Sequence, residues 1–289
     1  MYSYARSLGR ISAIVLVLAP LAIAGNDLKP EEILQRHLDS IGTSEARAAA
    51  KSRVVEGTAT YRILVGGSGS MEGKAVCVSE GNKMQLLLKV TALQYHGERF
   101  MSNGGKTFVE GTYDDHSRSE FGEFLRSEDL PLRDGLLGGT LTTDWALLDL
   151  ESRKGKLKYQ GHKKMDGTDL IAMSYQPKRN SGLDVTLYFD PETFRHVRTV
   201  YRASQHAGLD PTGAAAGDEA SARQQQTRYQ IEERFSDFKT ADGLTLPSNY
   251  DLRFTEELQN GFTKTVEWTV ATTRVLNGVP LDPKNFVIP

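Results

Sequence analysis

The sequence predicts a mainly β fold: a single curved antiparallel sheet of about 11 strands, with an N-terminal helix and short apolar helices inserted in the middle. Three observations predict it. Hydrophobic alternation of period 2 recurs along most of the chain, broken by glycine- and asparagine-rich turns. Strands never alternate with helices, so a parallel sheet is not indicated. The lone cysteine excludes an internal disulfide, so packing must hold the fold together.

The first 24 residues read as an address. Arg6 and Arg10 precede an apolar run from Ile11 to Ala22, and Ala22-Ile23-Ala24 supplies a small-x-small cleavage pattern. The run is shorter than the roughly 20 residues a spanning helix needs. A signal peptide over 1–24 and a periplasmic mature chain over 25–289 are expected. No cysteine follows the run, so an N-terminal lipid anchor is not expected. The whole chain has 35 Lys+Arg against 37 Asp+Glu, a formal charge of −2. Removing Arg6 and Arg10 leaves 33 against 37, or −4, and gives no electrostatic case for nucleic-acid binding.

Pro30 to Ile41 reads as a helix. Proline suits its first turn, Glu31 and Glu32 sit at its positive end, and Gly42 stops it. Ile33, Leu34, His37, Leu38 and Ile41 form its apolar stripe. An alanine-rich helix is expected over Ser44 to Lys51.

Strands follow at Val54–Val65, Ser70–Ser79, Lys83–Val90, Leu93–Met101 and Lys106–Glu110. Met84, Leu86, Leu88 and Val90 share one face, as in a meander with one apolar side. The insert 115–152 breaks the pattern. Phe121, Phe124 and Leu125 are spaced for a helix, Leu130, Leu132, Leu136 and Leu137 follow, and Leu141, Trp145 and Leu148 have the spacing of another helix with Thr142 or Thr143 as its cap. Seven further strands are expected between Lys156 and Leu276, with a mobile loop over 205–227 that lacks an apolar stripe. All of 25–289 then forms one domain.

Catalytic patterns are missing. No histidine pair has helical metal-ligand spacing, the glycine-rich pieces lack a phosphate-loop ending, and no Gly-x-Ser-x-Gly elbow occurs. Glu232 and Glu233 point to opposite faces of a strand, so they cannot act as a close pair. Cys77, among Ala75, Val76 and Val78, reads as a buried hydrophobe. No catalytic residue, metal or cofactor is expected.

What remains is apolar surface. A curved sheet with one apolar face and apolar helices over it can enclose an apolar ligand; the same helices can equally fill the sheet as core. Candidate ligand-binding residues are Leu86, Leu88, Tyr188, Tyr250 and Trp268 on strands, and Phe121, Phe124, Leu136, Leu137, Trp145 and Leu148 on the lid.

Three segments carry a resemblance: Leu187-Tyr-Phe-Asp-Pro-Glu-Thr-Phe-Arg-His-Val-Arg198, Phe235-Ser-Asp-Phe-Lys-Thr-Ala-Asp-Gly-Leu-Thr-Leu-Pro247 and Leu281-Asp-Pro-Lys-Asn-Phe286. Together with the leader, the N-terminal helix and the early meander, the chain resembles the LolA-like family of periplasmic lipoprotein carriers and outer-membrane lipoprotein-sorting proteins. The resemblance implies a LolA/LolB-like half-barrel with a helical lid over a hydrophobic cavity. It implies carriage of lipid or of lipoprotein acyl chains, with peripheral rather than integral membrane contact and an envelope protein as a further partner. The chain departs from the carriers in its extra length at 115–152 and 205–227, and its motifs do not place the arginine that links barrel to lid in the carriers. The competing expectations are an envelope assembly module with no small ligand, and a hydrolase assembled from distant residues.

Overall fold

The computed structural model describes residues 28–90, 95–113, 118–179, 181–206, 226–258 and 260–289. The expected signal peptide and most of the expected 205–227 loop lie outside the described residues.

Twelve antiparallel strands form one sheet: β1 Ser52–Val65, β2 Gly69–Glu80, β3 Lys83–Val90, β4 Glu98–Ser102, β5 Thr107–Gly111, β6 Lys156–Met165, β7 Thr168–Gln176, β8 Leu183–Phe189, β9 His196–His206, β10 Gln226–Ala241, β11 Leu244–Glu257 and β12 Thr263–Asn277. Their spatial order is β5-β4-β3-β2-β1-β12-β11-β10-β9-β8-β7-β6. Two meanders therefore meet where β1 pairs with β12, and β5 and β6 are left as unpaired edges. The insert connects those two edges, so this topology carries it across the open side of the sheet.

The sheet is strongly bent. The Phe121 ring lies 5.2 Å from Phe100 on β4 and 5.6 Å from Phe254 on β11. In sheet order those strands are five steps apart, about 24 Å on a flat sheet. One ring reaches both only because the sheet curls into a half-barrel around it.

Turn chemistry follows the sequence. Asp190 Oδ1 accepts the Glu192 and Thr193 N–H groups and the Thr193 hydroxyl, closing the turn between β8 and β9. Asp242 and Gly243, both at positive φ, join β10 to β11. Asp282 caps the final 3-10 turn, whose Phe286 is buried.

Helix α1 spans Pro30–Ile41 as expected, burying Ile33, His37 and Ile41. Helix α2, Ser44–Ala49, stops two residues short of the expected Lys51. The described part of the strand expected from Leu93 begins at Glu98, and Gln205, His206, Gln226 and Thr227, expected in a loop, extend β9 and β10.

The insert forms α3 Glu120–Ser127, α4 Leu130–Arg133 and α5 Leu150–Arg153, with 3-10 turns at Gly139–Leu141 and Ala146–Asp149. The helix expected through Leu141, Trp145 and Leu148 does not form. Gly135, Gly138 and Gly139 adopt positive φ, and the chain is moulded to the sheet rather than to its own period. Trp145 is buried and Leu148 exposed, so their i, i+3 spacing does not mark one apolar face.

Candidate functional site

The inner face of the half-barrel is apolar because alternate residues of each strand point into it. Met84, Leu86 and Leu88 on β3, Tyr250, Leu252 and Phe254 on β11, and Val266, Trp268 and Val270 on β12 are all buried there. Onto this face the insert lowers Phe121, Phe124, Leu125, Leu130, Leu132, Leu136, Leu137, Leu141, Trp145 and Leu147, none more than 5% exposed. The space left beneath Leu141, between Cys77, Leu86 and Tyr250, is about 20 Å³. That is room for about one water and far too little for an acyl chain, so the insert is packed as a plug.

Most of the expected lining residues meet here: Leu86, Leu88, Tyr250 and Trp268 from the sheet, and Phe121, Phe124, Leu136, Leu137 and Trp145 from the insert. Two do not. Tyr188 belongs to a small outer cluster with Leu170, Ala172 and Val200, because Leu187 and Phe189 take the inner parity of β8. Leu148 lies on the surface of its 3-10 turn.

Polar contacts fix the second half of the plug. Glu233 Oε1 accepts the Gly138 N–H at 2.7 Å and the Tyr250 hydroxyl at 2.8 Å, and Oε2 accepts the Tyr201 hydroxyl at 2.6 Å. Burial dominates these three bonds and pushes the Glu233 carboxyl up to about 7. Arg53 donates to the Thr140 carbonyl, which supplies an arginine joining barrel to insert. Ser79 Oγ accepts the Thr143 N–H, and Tyr175 donates to Asp134. His37 accepts the indole N–H of Trp145, whose ring stacks on His196 at 4.6 Å. Burial lowers His37 to about 4, so it is neutral near pH 7.

The first half, α3, is held differently. Ser119 caps the helix by accepting the Gly122 N–H. The buried Glu98 accepts the Ser119 N–H and hydroxyl, each at 2.8 Å. Burial pushes Glu98 up to about 7. Beside α3 opens a cleft of about 800 Å³, reached past Tyr61, Gly67, Phe124, Tyr229 and Lys264. At this end the hairpin tips expose Leu64, Val65 and Phe262.

Sequence reasoning missed Glu233, Glu98, Arg53 and the His37–Trp145 contact. One signal was available: Glu233 falls between Ile231 and Phe235 on the inner parity of β10, where a carboxylate needs partners. Among the described residues no group of His, Cys, Asp and Glu is placed to hold a metal ion. Cys77 is buried in apolar surroundings, which push its thiol up to about 12 and leave it unreactive.

No family model and no curated protein matches the chain. Solved structures do. A domain from Vibrio parahaemolyticus named for outer membrane lipoprotein sorting is 12% identical, with 88% of this chain and 97% of that one covered and a TM-score of 0.45. A LolA superfamily protein from Nitrosomonas europaea is 11% identical, with 90% and 98% covered and a TM-score of 0.43. A DUF1329 family protein from Desulfovibrio piger is 12% identical, with 89% and 96% covered and a TM-score of 0.44. No helix among the described residues is long and apolar enough to cross a membrane.

Proposed function

We propose that the chain is a periplasmic carrier or binding protein for lipid or acylated protein, not an enzyme, and that the structure is its closed, unloaded form. The carrying observation is the plug: a separable stretch of chain, spanning two unpaired sheet edges, occupies the apolar face that an acyl chain would need. The resemblance of the Asp190-Pro191 and Asp242-Gly243 segments to the LolA-like family supports the same reading, and the leader-like residues 1–24 support export.

Magnitudes decide which part opens. Each large apolar side chain of the plug contributes about 2 kcal/mol by burial, so the ten together contribute about 20 kcal/mol. A sixteen-carbon chain offers about 0.8 kcal/mol per methylene, or about 12 kcal/mol. One acyl chain cannot displace the whole plug. It can displace α3, whose Phe121, Phe124 and Leu125 contribute about 6 kcal/mol. Helix α3 also borders the large cleft, and its polar ties to the sheet, Ser119 to Glu98 and Glu120 to Lys264, are fewer than those of residues 134–145. In this reading α3 is the lid, and ligand enters between it and the Tyr61–Tyr229 side of the mouth. Phe100, Phe121, Phe124, Phe254 and Trp268 then line the ligand's path, and Leu86, Leu88, Leu136, Leu137, Trp145 and Tyr250 pack as core.

Native mass spectrometry of protein purified from a membrane-containing extract tests this. A co-purified lipid, or uptake of a fluorescent fatty acid, is expected; a uniformly unliganded spectrum with no uptake contradicts it. The filled interior favours a second reading, an envelope assembly module with no small ligand, which predicts that unliganded spectrum together with tight binding to an envelope protein.

A further inference from the structure

Between positions 154 and 179 the chain has seven Lys+Arg and only two Asp, within a sequence of 35 against 37 overall. The fold gathers much of this excess around one groove of about 1090 Å³ across β6 to β9. Lys154, Lys156, Lys163, Lys164, Lys178 and Arg202 line it, all exposed, and none has an ion-pair partner among the described residues. Asp184 is the one acidic residue of the lining; it stands opposite Arg202 in the ladder without forming an ion pair.

Neighbouring arginines of the sheet are arranged differently. Arg198 and Arg234 share Glu232 and Asp166, and Arg62 and Arg253 share Glu267. Lysines often blunt an edge strand against aggregation, which would account for those on β6. It does not account for Lys178 or Arg202, which lie off the edge.

We propose that this groove docks the protein on an anionic phospholipid surface. Long, flexible, unpaired cations suit mobile, repeated phosphates, and their attraction adds per residue within a Debye length. The floor, Ala172, Ser174, Thr186 and Tyr188, belongs to strands hydrogen-bonded on both sides, so its backbone offers no free ladder to an extended peptide. The inference does not rest on acyl carriage.

Vesicle co-sedimentation tests it. The full chain should bind phosphatidylglycerol-containing vesicles and not pure phosphatidylcholine, and high salt should release it. The K156E/K163E/R202E variant should bind at least about tenfold more weakly with an unchanged melting temperature. The K74E/K89E/K239E variant, reversed at exposed lysines elsewhere, should bind like wild type. Equal binding to both vesicles, full binding by the first variant, equal loss in the second, or binding of polyglutamate in place of vesicles overturns the proposal. Fatty-acid uptake by the unmutated chain reports on the carrier reading separately: uptake without docking, or docking without uptake, overturns one reading and leaves the other.

Discussion

The indole N–H of Trp145 donates to Nε2 of His37 across 3.0 Å, and both residues are fully buried. With Nε2 accepting, Nδ1 must carry the proton, and it lies 3.1 Å from the Phe194 carbonyl. One neutral tautomer thus ties α1, the insert and the β8–β9 turn together.

His37→Ala should therefore cost about 2–4 kcal/mol in denaturant unfolding, from the cavity and the orphaned indole donor. The pH dependence has a definite sign. The folded value of about 4 is below the ordinary 6.5, so the histidine's contribution is complete above pH 6.5 and is lost as pH falls toward 4. In His37→Ala this part of the acid sensitivity should disappear.

Glu233 titrates in the opposite sense. Its folded value of about 7 exceeds the ordinary 4.5, so its contribution is complete below pH 4.5 and is lost as pH rises through 7. Glu233→Gln should flatten the decline of stability between those values by up to about 1.4 kcal/mol per pH unit. Glu233→Ala leaves the Gly138 N–H and two tyrosine hydroxyls without their acceptor, and should destabilise by about 3 kcal/mol or more.

Much of the fold was legible in the sequence, because hairpin turns and period-2 alternation are local. Asp242-Gly243 and Asp190-Pro191 mark their turns wherever the strands go. The candidate site was legible only in part. Tyr188 lies on the face opposite to the one expected, because parity inverts with register, and register on β8 is set by neighbours. Leu148 has helical spacing without a helix, because an apolar spacing also arises by chance where glycines hand the backbone over to tertiary packing. The anchors of Arg53 and Glu233 join residues 87 and 95 positions apart, a pairing no local pattern encodes.

The distinction between core and surface in the insert is directly measurable. Leu137→Ala should cost about 2–5 kcal/mol, while Leu148→Asp should change stability by no more than about 0.5 kcal/mol. Equal effects would show that Leu148 packs as core, as Leu137 does.

Helix α3 has its own sensitive point. A Cβ on Gly122 would overlap Glu98 Oε1, the atom that accepts the Ser119 N–H. Gly122→Ala should loosen α3 without unfolding the sheet: hydrogen exchange should rise over 119–127 and stay unchanged over 136–145. If α3 is the lid, the same variant should take up a fluorescent fatty acid faster than wild type.

The most direct test of acyl carriage is native mass spectrometry of the full chain purified in the presence of membrane extract. The account predicts a one-to-one complex whose added mass is that of a lipid or acyl species, lost when Phe121 and Phe254 are both changed to Asp in a variant whose sheet remains folded by circular dichroism. A bare protein mass under the same conditions, with no acyl ligand bound at any concentration tried, would contradict it.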